Sequence, residues 1–325
     1  VPKIVIKLAA AFEAVGIVLL LFAFVPQFGA EGVWVSVFTA ISAFCNAGFD
    51  LFGRFGDYSS LVPYVNNYYV QAVIMFMIMA GGLGFMVWVE LAEYRKKRRL
   101  SLHAKVVLQF SVIFWVGGAV LLALLEWSNP RTMGGLSVPG KIMAALFQSV
   151  STRTAGMNTI DLAACSPISK LLMSVLQFIG AAPGSTGGGV KVTTFAVLIL
   201  TIRSVAQGRD DCVIGGHHIE SKTVYRALTI IVIGAVAAFG SAVVVYYNTA
   251  ETVSVIDCIF ESCSAFGTVG LSVGVTGQLN TGAKLLYMAC MFMGRVGPVS
   301  LAISLTAKPD DNKRKVLPVG HINVG

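Results

Sequence analysis

Residues Phe260 to Gly274 read FESCSAFGTVGLSVG, a short apolar stretch that runs into glycines. About a dozen residues of helix extend only about 18 Å, too little to cross roughly 30 Å of hydrocarbon. A segment of this kind enters a membrane and returns to the side it came from. Two other stretches share the design: FTAISAFCNAGFDLFG (Phe38 to Gly53) and FQSVSTRTAGMNTID (Phe147 to Asp161). Each opens with Phe, carries Ser four residues on (Ser42, Ser151, Ser264), and reaches a Gly preceded by a small residue (Gly48, Gly156, Gly270). The middle copy is one residue shorter between Ser and Gly, which blurs the alignment around Thr152 and Arg153.

The surrounding sequence is that of a membrane protein. Of 325 residues, 56% are hydrophobic and 12% charged, and the mean hydropathy is +0.78, far from an average soluble domain. Stretches of about 20 apolar residues, the length of a spanning helix, fall near Ile4 to Val25, Tyr69 to Leu91, Lys105 to Leu125, Tyr225 to Tyr247 and Lys284 to Ala307. A net charge of +8 would suggest nucleic acid in a soluble protein. Here the basic residues gather at span ends, in EYRKKRRL (Glu93 to Leu100), IRSVAQGR (Ile202 to Arg209) and KPDDNKRKV (Lys308 to Val316). That bias marks cytoplasmic loops; the alternative is a polybasic patch for anionic lipid or RNA. Lys3 and Lys7 place the amino end on the same side.

A second marker follows each short segment: MAGGLGFMVW (Met79 to Trp88), FIGAAPGSTGGG (Phe178 to Gly189) and FMGRVGPVSL (Phe292 to Leu301). The repeating unit is therefore span, short helix, glycine loop, span, over residues 1–100, 101–210 and 211–325. The predicted fold is an all-α polytopic membrane protein built of three such units. A glycine return at membrane depth exposes bare carbonyls, which is tolerated only inside protein or along a water-filled cavity, and such carbonyls can replace an ion's hydration shell. Close packing by small residues is the competing reading.

These segments, SAFCNAGFD, STRTAGMNTID, GAAPGSTGGGVKVTTF and SAFGTVGLS, resemble the membrane subunits of the Ktr/Trk/HKT superfamily of potassium transporters, most closely the bacterial Ktr type, along essentially the whole chain. Members have four such units around one pore, so the resemblance implies that an N-terminal unit is missing from this sequence. It also implies K⁺ filter strands at Cys45, Asn46, Ala47, Gly48 and Phe49, at Arg153, Thr154, Ala155, Gly156 and Met157, and at Gly267, Thr268, Val269, Gly270 and Leu271. The function implied is the ion-conducting subunit of a regulated K⁺ uptake system in the bacterial cytoplasmic membrane, with Na⁺ as a possible second ion. The subunit would form a homodimer in lipid on a cytoplasmic ring of nucleotide-binding regulatory subunits, met by the basic loops and the tail KRKVLPVGHINVG. A Na⁺ or non-selective cation transporter and a non-conducting scaffold are the alternatives. One glycine per filter predicts weaker selectivity than the denser filters of tetrameric K⁺ channels.

A continuous helix from Ile168 to Gln207 would be about 60 Å long, twice the need, and it carries IGAAPGSTGGGVKVTTF (Ile179 to Phe195) at its centre. The predicted break is at Ala182 to Gly189. By the resemblance, Gly180, Ala181, Ala182, Pro183, Gly184, Ser185, Thr186, Gly187, Gly188, Gly189 and Lys191 form a gate loop below the filter; a packing kink is the alternative. A nucleotide P-loop is not met, since Lys191 comes one residue late and no hydroxyl residue follows it. Arg295 is an ionised group within a span, costly unless it faces a cavity or partner. The resemblance makes it a pore barrier, and an ion pair with Glu261 or Glu13 is the alternative. Lys191 is either a second such charge or a snorkelling side chain. Asp50 and Asp161, just past filters, either concentrate cations at the outer mouth or do nothing.

The six cysteines show no metal-ligand spacing, and His217 and His218 read as a solvated loop pair rather than a metal site. There is no HExxH, GxSxG or paired carboxylate motif. We expect no enzyme, no organic cofactor and no nucleic-acid partner.

Overall fold

The computed structural model describes residues 2–56, 59–208, 212–249 and 252–297. The first unit contains α1 (Pro2–Phe28), α2 (Glu31–Phe44), α3 (Tyr68–Gly82) and α4 (Phe85–Lys97). The second contains α5 (Leu102–Glu126), α6 (Val138–Ser151), α7 (Pro167–Phe178) and α8 (Val192–Ala206). The third contains α9 (Ser221–Asn248), α10 (Val255–Gly267) and α11 (Thr281–Val296). Strands β1 (Val213–Ile214) and β2 (His217–His218) make a small antiparallel hairpin between the second and third units. Its turn is Gly215-Gly216, both at positive φ, as a two-residue hairpin requires.

The all-α, three-unit reading of the sequence agrees with this architecture. Each unit has one long apolar helix, α1, α5 or α9, able to cross a membrane. Their outer faces carry bare apolar side chains such as Phe22, Leu124 and Val236. Lipid is the solvent for those faces, so no amphipathic stripe is needed; small residues and local polar bonds set the packing instead. Helix starts are marked by side-chain caps. Asn67, Ser101, Ser137, Ser166, Ser254 and Asn280 each accept a hydrogen bond from a backbone N–H two or three residues on.

Two spans differ from the sequence reading. Tyr69 to Leu91 is not one straight helix: α3 and α4 meet at 98°, because Leu83 ends α3 and Gly84 turns at φ +88°. Trp88 braces the bend by donating its indole N–H to the Ala80 carbonyl (2.8 Å). The break in the second unit runs from Ile179 to Lys191, longer than the predicted Ala182 to Gly189. Of the span predicted at Lys284 to Ala307, α11 covers the part to Val296. The rest of it, the basic cluster Lys308 to Val316, the tail and Arg209 at the end of the second cluster lie outside the described residues.

The second unit packs on the first through α3 and α6, and on the third through α7 and α10. Inside the third unit, α11 passes α10 so closely that a Cβ on Gly294 would overlap the Phe266 carbonyl oxygen. Gly117 on α5 has open space around it. Gly294→Ala should therefore lower thermal stability in detergent by about 1–3 kcal/mol, the usual cost of overpacking. Gly117→Ala should be neutral or stabilising by up to about 1 kcal/mol through helix propensity. A melting series on the two variants checks the contrast.

Candidate ion-conduction site

Helices α2, α6 and α10 end at Phe44, Ser151 and Gly267, and each is followed by one tight turn. The turns share a backbone pattern. Asn46 (φ +49°), Thr154 (+77°) and Thr268 (+51°) are left-handed, and so, two residues on, are Gly48 (+74°), Gly156 (+83°) and Gly270 (+93°), with a residue of negative φ between. Threonine in this region costs roughly 1–3 kcal/mol and persists only where its surroundings enforce it. The serine before each turn supplies part of that enforcement. Ser42 Oγ donates to the Phe49 carbonyl at 2.6 Å and Ser264 Oγ to Leu271 at 2.7 Å, while Ser151 Oγ donates to Met157. The bond closes seven residues on in the outer copies and six in the middle one, so the missing residue is removed before the turn and the glycine keeps its place.

The three turns meet one another. A Cβ on Gly48 would stand 2.8 Å from the Ala155 carbonyl oxygen and 3.1 Å from Gly156 Cα, and one on Gly156 would overlap the Val269 carbonyl oxygen. A Cβ on Gly270 would come no nearer than 3.7 Å to Gly156 Cα. Asn46 and Thr154 also hydrogen-bond side chain to side chain at 3.1 Å. Helices α2, α6 and α10 thus aim their partially negative C-terminal ends at a shared centre of backbone carbonyls.

The stretch 179–191 lies directly against these turns. A Cβ on Gly187 would overlap the Thr154 hydroxyl, and one on Gly188 the Thr268 hydroxyl. The loop is pinned by backbone bonds to the first and third units. Ala182 N–H donates to Gly82 O (3.0 Å), Thr186 N–H to Gly81 O (3.2 Å) and Gly189 N–H to Gly294 O (3.1 Å), and Phe85 N–H donates back to Gly184 O (3.0 Å). Thr186 Oγ1 donates to Phe44 O at 3.0 Å, and Gly180 and Val190 close the base of the loop. Pro183 supplies a carbonyl beside Gly84.

Not every expected residue presents its side chain to this centre. Arg153 is buried and points backward: its Nη2 donates to the Gly180 carbonyl at 2.8 Å, and its guanidinium lies 5.3 Å from the Phe114 ring and 5.8 Å from Trp115. It joins the second turn to the start of the intramembrane loop. Lys191 does not snorkel away; its Nζ crosses the loop to the Gly187 carbonyl at 2.6 Å. Arg295 is exposed and makes no ion pair with Glu13 or Glu261 among the described residues. Its charge is in electrostatic range of Cys45 and Lys191. Asp50 and Asp161 each accept a backbone N–H two residues on, Phe52 and Ala163, both at 2.9 Å, and so cap their own turns.

One wall is different. Phe49 is 68% exposed, whereas its counterparts Met157 and Leu271 are 0% and 2% exposed. It borders a cavity of about 650 Å³, lined also by Ala47, Thr268, Gly270, Ser272 and Tyr287, between the first and third turns.

The family model described as TrkH, cation transport protein, matches residues 1–315, and the chain belongs to that family. It is 36% identical over 307 residues to the potassium/sodium uptake protein NtpJ of Enterococcus hirae, covering 94% of this chain and 67% of the relative. It is 33% identical over 324 residues to the Ktr system potassium uptake protein B of Bacillus subtilis, covering 99% and 71%. The structure resembles the crystal structure of the potassium transporter TrkH from Vibrio parahaemolyticus with a TM-score of 0.69, at 20% identity over 88% of this chain and 62% of that one. The chain therefore spans about two thirds of the length of these relatives. It is a multi-pass membrane protein of a cation transporter family, not of an enzyme family.

The packing ranks the glycines. Gly156→Ala should damage cation selectivity most, Gly48→Ala less, and Gly270→Ala least, its cost being mainly the left-handed backbone at about 1–2 kcal/mol. Competition of K⁺ with Na⁺ in whole-cell uptake gives the order.

Proposed function

We propose that this chain is the ion-conducting subunit of a K⁺ uptake system in the bacterial cytoplasmic membrane. The observation that carries the reading is the meeting of three glycine turns at one centre of backbone oxygens. Left-handed residues alternating with residues of negative φ bring backbone carbonyls of the three turns together, and such a ring replaces water around K⁺ at the right spacing or field strength. The names of the relatives, potassium uptake and potassium/sodium uptake, support K⁺ as the ion and Na⁺ as a second ion.

The loop 180–191 is the gate, because it occupies the inner face of the filter and is held there by a few backbone bonds. Arg295 adds a fixed positive charge below the filter, which raises the barrier to a cation and slows flux. A fourth unit of the same kind covers Phe49 and fills the cleft beside it; the exposure of that one filter residue, against its two buried counterparts, supports this. The amino end and the basic clusters face the cytoplasm, and there a homodimer rests on a nucleotide-binding regulatory ring.

Gate displacement is the experiment. Gly187→Ala and Gly188→Ala put a methyl group where the closed loop has none to spare, so each should raise K⁺ flux several-fold in cells lacking other uptake systems, with Gly117→Ala on α5, whose Cβ is free of neighbours, as control. Unchanged or reduced flux in both variants, at normal membrane levels, overturns the gate assignment.

A further inference from the structure

Glu261 is an ionisable residue on a pore helix, and the proposed conduction path leaves it unused. It is 4% exposed, and its carboxylate is fully engaged. Oε1 accepts from Val273 N–H at 3.0 Å, from Val275 N–H at 3.1 Å and from the Ser272 hydroxyl; Oε2 accepts from the Thr276 hydroxyl at 2.7 Å. All four donors lie on the strand that leaves the third filter turn, starting one residue after Leu271.

The other two pore helices do without such a group. Thr39, Gln148 and Glu261 occupy the same register, one residue after the opening Phe and three before the filter Ser. Neither the Thr39 hydroxyl nor either Gln148 amide atom has a partner among the described residues. The exit from the second filter is held instead by its neighbour: Leu61 N–H donates to Asn158 O at 3.0 Å and Asn158 N–H to Ser60 Oγ at 3.3 Å. The exit from the third filter borders the 650 Å³ cavity on one side. Among the described residues no neighbour from another unit holds it there, and its hold comes through one carboxylate, that of Glu261, which lines the same cavity.

We infer that Glu261 is a positioning residue for ion selectivity, which fixes the carbonyls of Thr268 to Leu271 by anchoring Ser272 to Thr276. A carboxylate suits the task because it accepts at both oxygens and offers no competing donor, and because charge-assisted bonds to N–H and O–H are stronger than neutral ones. Ser264, bonded to Leu271 O, and Ser262, bonded to the Tyr287 hydroxyl at 3.1 Å, complete the support from the same helix. All four of its hydrogen bonds run to this one segment, although Glu261 also borders the cavity.

The inference rests on the filter reading above, and the experiment separates the two. K⁺ uptake and its inhibition by Na⁺ are measured in cells for Glu261→Ala, Glu261→Gln and Gly156→Ala. Glu261→Ala should reduce K⁺ over Na⁺ preference at least fivefold. Glu261→Gln, which keeps an acceptor for the two N–H groups while the hydroxyls reorient, should keep it within about twofold of the parent. If Gly156→Ala loses preference and Glu261→Ala does not, the brace is wrong and the filter stands; if Gly156→Ala keeps it, the filter reading itself fails. Equal loss in Glu261→Ala and Glu261→Gln would show that charge, not anchoring, matters, and would also overturn the inference. Should Glu261→Ala fail to reach the membrane, Thr276→Val and Ser272→Ala remove single donors and must shift preference in the same direction, by less; no shift in either sinks it.

Discussion

Backbone that is neither helix nor sheet at membrane depth has to find partners within the protein, because hydrocarbon supplies none. That demand organises this molecule. Three short helices end in glycine turns, and a further irregular segment, 179–191, interrupts the second unit and packs against two of those turns. Its backbone finds its partners in the other two units. The intramembrane loop takes its hydrogen bonds from Gly81, Gly82 and Gly294, which lie beside the breaks or ends of the inner helices of the first and third units, and Thr186 bonds the last carbonyl of α2. The irregular parts form one connected body lying across all three units.

The consequence for chemistry is a shared centre whose lining is main chain. Side chains there serve the backbone: serines hold the far end of each turn, Arg153 ties a turn to the loop, Lys191 spans the loop, and Glu261 anchors the outgoing strand. Threonines in left-handed conformations carry the strain of the arrangement. Such strain is kept where the surroundings over-determine it, and it sits at the proposed filter. Only glycine serves at Gly156, because the next turn's carbonyl occupies the space of a side chain.

Much of this was legible in the chain. Apolar lengths identified the long helices α1, α5 and α9, and the Phe, Ser, Gly register located all three turns to the residue. The excess length of 168–207 required a break. Other features were out of reach. The 98° bend at Gly84 was hidden because the apolar run continues through it, and one of the bonds that hold it is to Gly184, far away in sequence. The filter strand was placed at Arg153 to Met157, but the sequence could not show that the Arg153 side chain turns back to bond Gly180. That the Asp50 and Asp161 carboxylates each cap a turn of their own, through one oxygen, was also not legible.

What the sequence determined alone was the local content: which segments are long enough to span, which are too short, and where glycine or capping residues stop a helix. These depend on hydrophobic length and on φ preferences of neighbouring residues, both carried by consecutive positions. The tertiary structure decided which carbonyls converge, which unit faces an open cleft at Phe49, and that Glu261 is bound to a strand instead of to Arg295. Those are contacts between atoms whose sequence separations run from a dozen residues to more than a hundred, and they come into being only when the units close around a common axis.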